Sequence, residues 1–599
     1  MRNMRRRRAI LLGAVLGPCL LAALPACKPL RQPLGSLAPL GGASGAGGAT
    51  TPPDAGTQDS GPQIITGTQI PSLPPEWGPC EPTAPTAFRC FQDPKVPPAP
   101  TPASLFSGAP DPDPAQKPVV AYPLPGSMHP INLADITFQW RRAPAVAPMA
   151  QTVFRIRLRR VNGDTFEFFA PCNHTSAVPP ALDTECVYHL PPGAWLDLAQ
   201  TARGEVLTVD VAGVDPDRAG SVATSDPFTI SVSPEYVGGG FYYWSTSIQG
   251  TVRLLFGGRT RLPFITPKSS SNPTMCSGCH TVSRGGSTIA FTMGDSPAAG
   301  VLRVAPTTTP EQPLFQPATA HDSGTLALNR DGSRVLVSTS SGLVLRDTKT
   351  GAHITDVPPA FLVVAGAGAP VRGFHPEWSP DDKSIALTLS AMGASDWSVS
   401  SGAIGVLPYH EGVSGDGAFG PVEVLVPTGT DFNFYPTWSP DGHWLAFSTA
   451  PAGPLQTSYS QSNARLRLVN RDTKVVYELG NATSGRLRTS TWPKFAPASQ
   501  AGGLMFLTFN SKLDYGFFLP NNAGGAPQLW MTTIDVRKLQ APTDDPSSPP
   551  VWLSFQDVRE RNYLGLWADR VGCRGEGRSS IGCGDHEVCD QGACAMVAP

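Results

Sequence analysis

Five consecutive residues, Cys276-Ser277-Gly278-Cys279-His280, carry the densest chemistry in this 599-residue chain. Two thiols three positions apart, followed at once by an imidazole, make the pattern C-x-x-C-H. In that pattern the thiols add to the vinyl groups of a haem, giving covalent haem c, and the histidine ligates the iron from the proximal side. With 12 Cys and 10 His in the chain, chance supplies such a run roughly 0.004 times. Two further readings use the same residues. Cys276 and Cys279 can close a structural disulfide beside an unrelated histidine. They can also act as a redox dithiol, which calls for a βαβ setting that the flanking sequence lacks. Four residues are candidates for the distal side of an iron held by His280: Met293, His321, His375 and Met392. An open distal position would favour small-ligand binding over simple electron transfer. His129, His174 and His189 show no ligand spacing. The absence of a G-x-S-x-G elbow, and of an acid–base pair at meaningful spacing, points away from an enzyme.

The elements that must position these residues belong to an exported chain. Arg2 and Arg5 to Arg8 form a basic start, followed by an apolar run from Ala9 to Leu24. That run is too short and too one-sided for a good membrane span and reads as a signal peptide over residues 1–26. Leu24-Pro25-Ala26-Cys27 resembles a bacterial lipobox, with Pro25 its unusual member, and makes Cys27 the lipidation site. Arg7-Arg8 also touches the twin-arginine pattern. Cleavage before Cys27 removes five Arg, so 40 basic residues face 47 acids, a net charge of −7. Such a balance gives no reason to expect nucleic acid as a partner. Ten cysteines then remain besides Cys27, clustered in pairs and one quartet, as a disulfide-forming compartment favours. The expected location is the periplasm, outer membrane or cell surface, held to the membrane by lipid alone.

The 61 Gly and 65 Pro, against 15% charged residues, favour turn-rich β structure and linkers. Residues 27–118, rich in Pro, Gly, Ala, Ser and Thr, read as a flexible linker in which Cys80 and Cys90 close a small loop. Residues 119–233 alternate with period two: Ile136, Phe138 and Trp140; Phe154, Ile156 and Leu158; Leu207, Val209 and Val211; Phe228, Ile230 and Val232. Half-buried antiparallel strands follow. Their length and spacing resemble a fibronectin type III or other immunoglobulin-like sandwich. Cys172 and Cys186 are expected to pair across a loop. The row Arg155, Arg157, Arg159 reads as a solvated strand face in preference to a binding stripe.

Residues 234–568 repeat themselves. Phe374-His375-Pro376-Glu377-Trp378-Ser379-Pro380-Asp381-Asp382 precedes Ile385-Ala386-Leu387, and Phe434-Tyr435-Pro436-Thr437-Trp438-Ser439-Pro440-Asp441-Gly442 precedes Leu445-Ala446-Phe447. Worn copies start at Leu328, at Trp492 and at Ser283. The steps from Asp331 to Asp381 to Asp441 are 50 and 60 residues, a propeller period. These repeats resemble the TolB-like and WD-repeat-like β-propellers, whose members mostly bind proteins or peptides. Six blades are expected, with the Phe241–Trp244 strand helping to close the ring. The C-x-x-C-H run lies immediately before a blade.

Cys276 to Val282 is similar to the haem-attachment site of class I cytochromes c, down to the Cys-His-Thr-Val run. The resemblance implies thioethers at Cys276 and Cys279 and an iron ligand at His280. The cytochrome's flanking helices are missing here. The tail, residues 569–599, holds Cys573, Cys583, Cys589 and Cys594 and weakly resembles small growth-factor-like modules, so two disulfides are expected. Zinc, with His586 nearby, is the rival reading. The chain is therefore expected to be all-β: a sandwich, a propeller and a cysteine-rich tail. Its expected function is electron transfer or haem-based sensing at the bacterial cell envelope. The alternative is a non-enzymatic envelope lipoprotein whose propeller and sandwich bind a protein or polysaccharide, with Cys276–Cys279 a structural disulfide.

Overall fold

The computed structural model describes residues 87–596 apart from short internal stretches, among them 144–150, 175–183, 267–275 and 316–323. The signal peptide expected over 1–26, Cys27, Cys80, His321 and Met392 lie outside the described residues. Among those described, no helix is long and apolar enough to cross a membrane.

The first body is a two-sheet sandwich. Thr165–Pro171, Val153–Arg159 and Val206–Val214 are neighbours in one sheet, and Val119–Tyr122, Thr137–Arg141 and Glu185–His189 form the other. Period two works as expected: Phe154, Ile156 and Leu158 are fully buried in one core with Phe138 and Trp140. Cys172 and Cys186 form a disulfide that joins the two sheets. Ala87–Gln92 lies within the stretch that composition places in the linker. It pairs in parallel with residues 165–169, and Val96 and Phe106 pack behind it on Phe169 and Ala212. Apolar residues too sparse to show a period are recruited here by a sheet edge built from later sequence. Cys90 is disulfide-bonded.

The arginine row is a correction. Arg155, Arg157 and Arg159 do not face solvent as a set. They converge on Asp210 at 3.7, 2.9 and 3.3 Å, and the Asp210 side chain is only 4% exposed. The carboxylate sits on the neighbouring strand, directly opposite Arg157, and Arg155 is covered by the Phe106 ring. Sequence alternation shows which face the arginines share but not what covers it.

Six further sheets form the propeller. Blade 1 contains Gly240–Ser245, Gly250–Leu255 and Leu262–Ile265, and blade 2 Cys276–Val282, Thr288–Gly294 and Val301–Pro306. Blades 3 to 6 begin with Leu326–Leu328, Val371–Trp378, Asp431–Trp438 and Thr491–Phe495. Blade 1 is completed by Asn562–Ala568, which pairs antiparallel with Gly240–Ser245. The two ends of the repeat region thus close the ring in one sheet, removing the open edges a linear array would leave. The innermost strands follow one another round the axis, each against the next, from 562–568 through 276–282, 326–328, 371–378, 431–438 and 491–495 back to the start.

The repeated turn has a local cause. Ser379 Oγ accepts the Ser384 N–H at 2.9 Å and donates to Asp381 at 2.6 Å, while Asp381 also accepts the Lys383 N–H at 3.1 Å. Ser439 and Asp441 repeat these contacts with Trp444 and His443. The fourth position is left-handed in both: Gly442 has φ 75°, and Asp382 takes φ 58° without glycine's freedom. In the worn copy Ser283 Oγ still accepts the Thr288 N–H at 3.0 Å. The tryptophan before each intact turn packs between blades. Trp378 Nε1 donates to Ala327 O and Trp438 Nε1 to Glu377 O, each at 3.3 Å.

Sandwich and propeller share a core, which runs from Phe138 and Trp195 through Phe241 to Leu529 and Trp567. The Trp552 N–H donates to Tyr122 Oη at 3.1 Å and the Phe517 N–H to Gln139 Oε1 at 2.6 Å. In the tail Cys573 pairs with Cys589 and Cys583 with Cys594. The sulfurs of Cys573, Cys583 and Cys594 lie within 4.8 Å of one another, but disulfides consume all three thiols as zinc ligands.

Candidate functional site

The C-x-x-C-H run is the innermost strand of blade 2, not a loop ahead of it. Its pairing with the next strand slips between Ser277 and His280. The same slip occurs between Phe374 and Glu377, Phe434 and Thr437, and Thr491 and Lys494. Cys279 therefore occupies the position held by His375, Tyr435 and Trp492, and His280 that of Pro376, Pro436 and Pro493. His375, Tyr435 and Trp492 adopt φ of 50°, 51° and 50° at this bulge. Bulges of this kind re-aim a side chain, here towards one mouth of the channel.

Around that mouth stands an arc of rings. His375 lies 4.0 Å from Tyr435, and Tyr435 5.6 Å from Trp492, centroid to centroid. Tyr459 stacks on Trp492 at 5.0 Å and hydrogen-bonds through its hydroxyl to Tyr563 at 2.7 Å. His375 is locked: Nδ1 meets Thr388 Oγ1 at 3.0 Å and Nε2 meets the Asp396 carbonyl at 2.8 Å. Burial pushes its imidazole down to about 4. Cys279 is a free, partly buried thiol. Burial, reinforced by the Asp396 carboxylate, pushes it up to about 12. Such a thiol is protonated at neutral pH and a poor nucleophile, which disfavours the redox-dithiol reading.

His280 pairs with Phe291, whose sheet face it shares with Val282, Ile289 and Met293. These apolar residues pack against Tyr242, Phe264 and Leu566 of blade 1. His280 is 4% exposed and Met293 1%. Cys279 is turned instead towards Asp396, whose charge it feels, and lies near enough to Tyr435 to act on its phenol. For covalent haem the donor chemistry fits, with a thiol free of any disulfide adjoining an imidazole in the required order. The folded ring, however, closes His280 between blades 1 and 2.

A second feature was not singled out from the sequence. A cavity on the axis is lined by residues from every blade: Leu566 and Trp567, Thr281 and Arg284, Leu326 to Leu328, Glu377 and Trp378, Thr437 and Trp438, and Lys494 and Phe495. Glu377 accepts hydrogen bonds from Lys494 Nζ and, at 2.6 Å, from Thr437 Oγ1. Burial lowers the Lys494 ammonium to about 7, an effect the carboxylate opposes. Aligning the repeats gives the missing signal. Thr281, Glu377, Thr437 and Lys494 occupy one equivalent position, polar where an inner strand of a closed core should be apolar. The other sequence-predicted residues do not join either site: His129 is buried against Ser127 in the sandwich, and His174 and His189 lie on that body too.

No protein-family model and no curated protein matches this sequence. Among solved structures the chain is similar to a nidogen/laminin complex, at 10% identity over 55% of this chain and 98% of that one, with a TM-score of 0.33. It is similar to the dihydro-haem d1 dehydrogenase NirN in complex with DHE, at 15% identity over 59% of this chain and 61% of that one, TM-score 0.27. A third is the gluconolactonase XC5397 from Xanthomonas campestris, at 11% identity over 54% and 85% of the two chains, TM-score 0.27. At these identities and scores none of them bears on activity; the propeller is established by its own six sheets.

Proposed function

We propose that this chain is an exported, lipid-anchored propeller protein that carries one covalent haem c, for electron transfer or haem-based sensing at the cell envelope. The observation that carries the reading is Cys279, a free thiol beside His280 on a channel-lining strand where the equivalent positions hold His, Tyr and Trp. Cys276 and Cys279 would hold the porphyrin and His280 the iron. Bound there, the group would supply one-electron chemistry or an iron site for a small ligand. Met293 and His321 remain the distal candidates, because both ring nitrogens of His375 are taken. Attachment would precede ring closure, since docking of Asn562–Ala568 on Gly240–Ser245 completes the blade that covers His280.

The test is expression of the full chain with haem c maturation enzymes, followed by denaturation. A Soret band and a haem-sized mass increment that stay with the chain, and vanish in Cys276→Ser/Cys279→Ser, are expected. A properly exported chain without covalent haem refutes the proposal. That result would leave the second reading, an envelope lipoprotein whose propeller and sandwich bind a protein or polysaccharide, which the axial cavity favours. Cys279, as a free thiol, speaks against the disulfide in that reading. Retention of the chain in the membrane fraction, and its release by Cys27→Ser, tests the anchor.

A further inference from the structure

The axial cavity holds a cation without a hydrogen-bond partner among the described residues. Arg284 lines it from the worn turn of blade 2, and among the described residues nothing hydrogen-bonds or ion-pairs with its guanidinium. Burial lowers its pKa, so the environment already disfavours an uncompensated charge. Three acids are near enough to act on it: Asp569, Asp382 and Asp441. Each has other partners. Asp569 pairs with Arg330 at 3.3 Å, and Asp382 accepts the Arg330 N–H at 2.9 Å. Asp441 accepts from Ser439 at 2.5 Å and from the His443 N–H at 3.0 Å. Among the described residues the planar fork of Arg284 is thus left open to a ligand.

The cavity's charge count limits what that is. Lys494 is paired with Glu377, which leaves Arg284 as the lining cation with no carboxylate of the described residues in contact. One open guanidinium suits a monoanion and a bidentate carboxylate, whereas a phosphate dianion would remain half-compensated. Four aromatic residues, Trp378, Trp438, Phe495 and Trp567, stand in its lining beside polar Thr281, Thr437 and Glu377, and offer a flat apolar body ring edges to pack on. We propose that the central channel binds a small organic carboxylate, with its carboxylate on Arg284 and its apolar part among these rings. The site is separate from the Cys279 mouth and does not depend on haem.

The cavity tryptophans provide the assay. The full-length protein is titrated with benzoate, phenylacetate and indole-3-acetate, following tryptophan emission and calorimetric heat. Phenylacetamide serves as neutral isostere and inorganic phosphate as a bare anion. A saturable response to at least one carboxylate is expected at millimolar concentration or below. The matching amide should bind about tenfold or more weakly, a difference of ~1.4 kcal/mol. Arg284→Gln should weaken the carboxylate by a similar factor, Arg284→Lys by less, and Arg537→Gln, an exposed residue outside the cavity, should leave it unchanged. Unaltered circular dichroism shows that the variants remain folded. Equal binding of acid and amide, full binding by Arg284→Gln, saturation by phosphate alone, or no saturable response to any of the three acids would each overturn the proposal.

Discussion

Removing either member of the Glu377–Lys494 pair should destabilise the ring, and removing both should restore part of the loss. The two side chains are 22% and 21% exposed, so they are neither a surface pair nor fully dry. Exposed pairs contribute about 0–1 kcal/mol, and stranding one partner of a buried pair costs about 3–5 kcal/mol. For Lys494→Met the estimate is ~2–3 kcal/mol, because water and Thr437 still solvate Glu377. Glu377→Gln should cost less, since burial already brings Lys494 to about 7 and lets it shed its proton. The sign follows from linkage. Lys494 already has a folded pKa of about 7, below its unfolded value, and loss of the Glu377 carboxylate lowers it further, so the folded state binds fewer protons up to about 10.4. Glu377→Gln should therefore regain stability as pH rises from neutrality towards 10. Thermal midpoints and urea curves, followed by tryptophan emission and β-sheet ellipticity, give the cycle. Coincidence of the two probes is required, because two bodies sharing one core need not unfold in one step. Single variants whose effects add to within about 0.5 kcal/mol would show no coupling and refute the reasoning.

Three further outcomes are expected. Asp382 has its carboxyl raised to about 6, chiefly by burial, so charging it penalises the folded state as pH rises from about 4 through 6. Asp382→Asn keeps an acceptor for Arg330 and tolerates the left-handed φ; it should stabilise by about 1 kcal/mol at pH 7.5, after discounting for solvent, and by almost nothing at pH 4. His129 and His375 are buried neutral, at about 3 and about 4, so the protein should lose stability as pH falls below about 6.5, and His129→Gln with His375→Gln should flatten thermal midpoints measured between pH 7 and 5. Asp210→Asn removes the buried carboxylate on which three arginines converge and should lower the unfolding midpoint by the equivalent of about 3 kcal/mol; an unchanged midpoint would mean that other groups and water already neutralise the cluster.

The best-read parts of the sequence are those whose physics is local. Ser439, Pro440, Asp441 and Gly442 bond within their own turn, so the turn is visible without its surroundings. The same holds for the alternation of Phe154, Ile156 and Leu158, which needs only a neighbouring sheet, whichever it is. Arg155, Arg157 and Arg159 share a face by the same rule, yet Asp210 covers them from more than 50 residues away. Composition likewise places residues 87–92 in a linker, and a strand edge from residues 165–169 makes them sheet.

At the candidate site the division is similar. The chain order alone sets the donors of C-x-x-C-H, because thiol, thiol and imidazole are neighbours in covalent structure. Which way each points is tertiary: ring closure brings Asp396 of another blade up to Cys279, and blade 1 seals His280. The cavity charges illustrate the point most directly. Glu377 and Lys494 stand 117 residues apart, each an unremarked polar residue in its own repeat. Only closure of Gly240–Ser245 on Asn562–Ala568 bends the row of blades into a ring. Residues repeated along the chain then face one axis, and burial there gives their charges an energetic consequence that no local pattern contains.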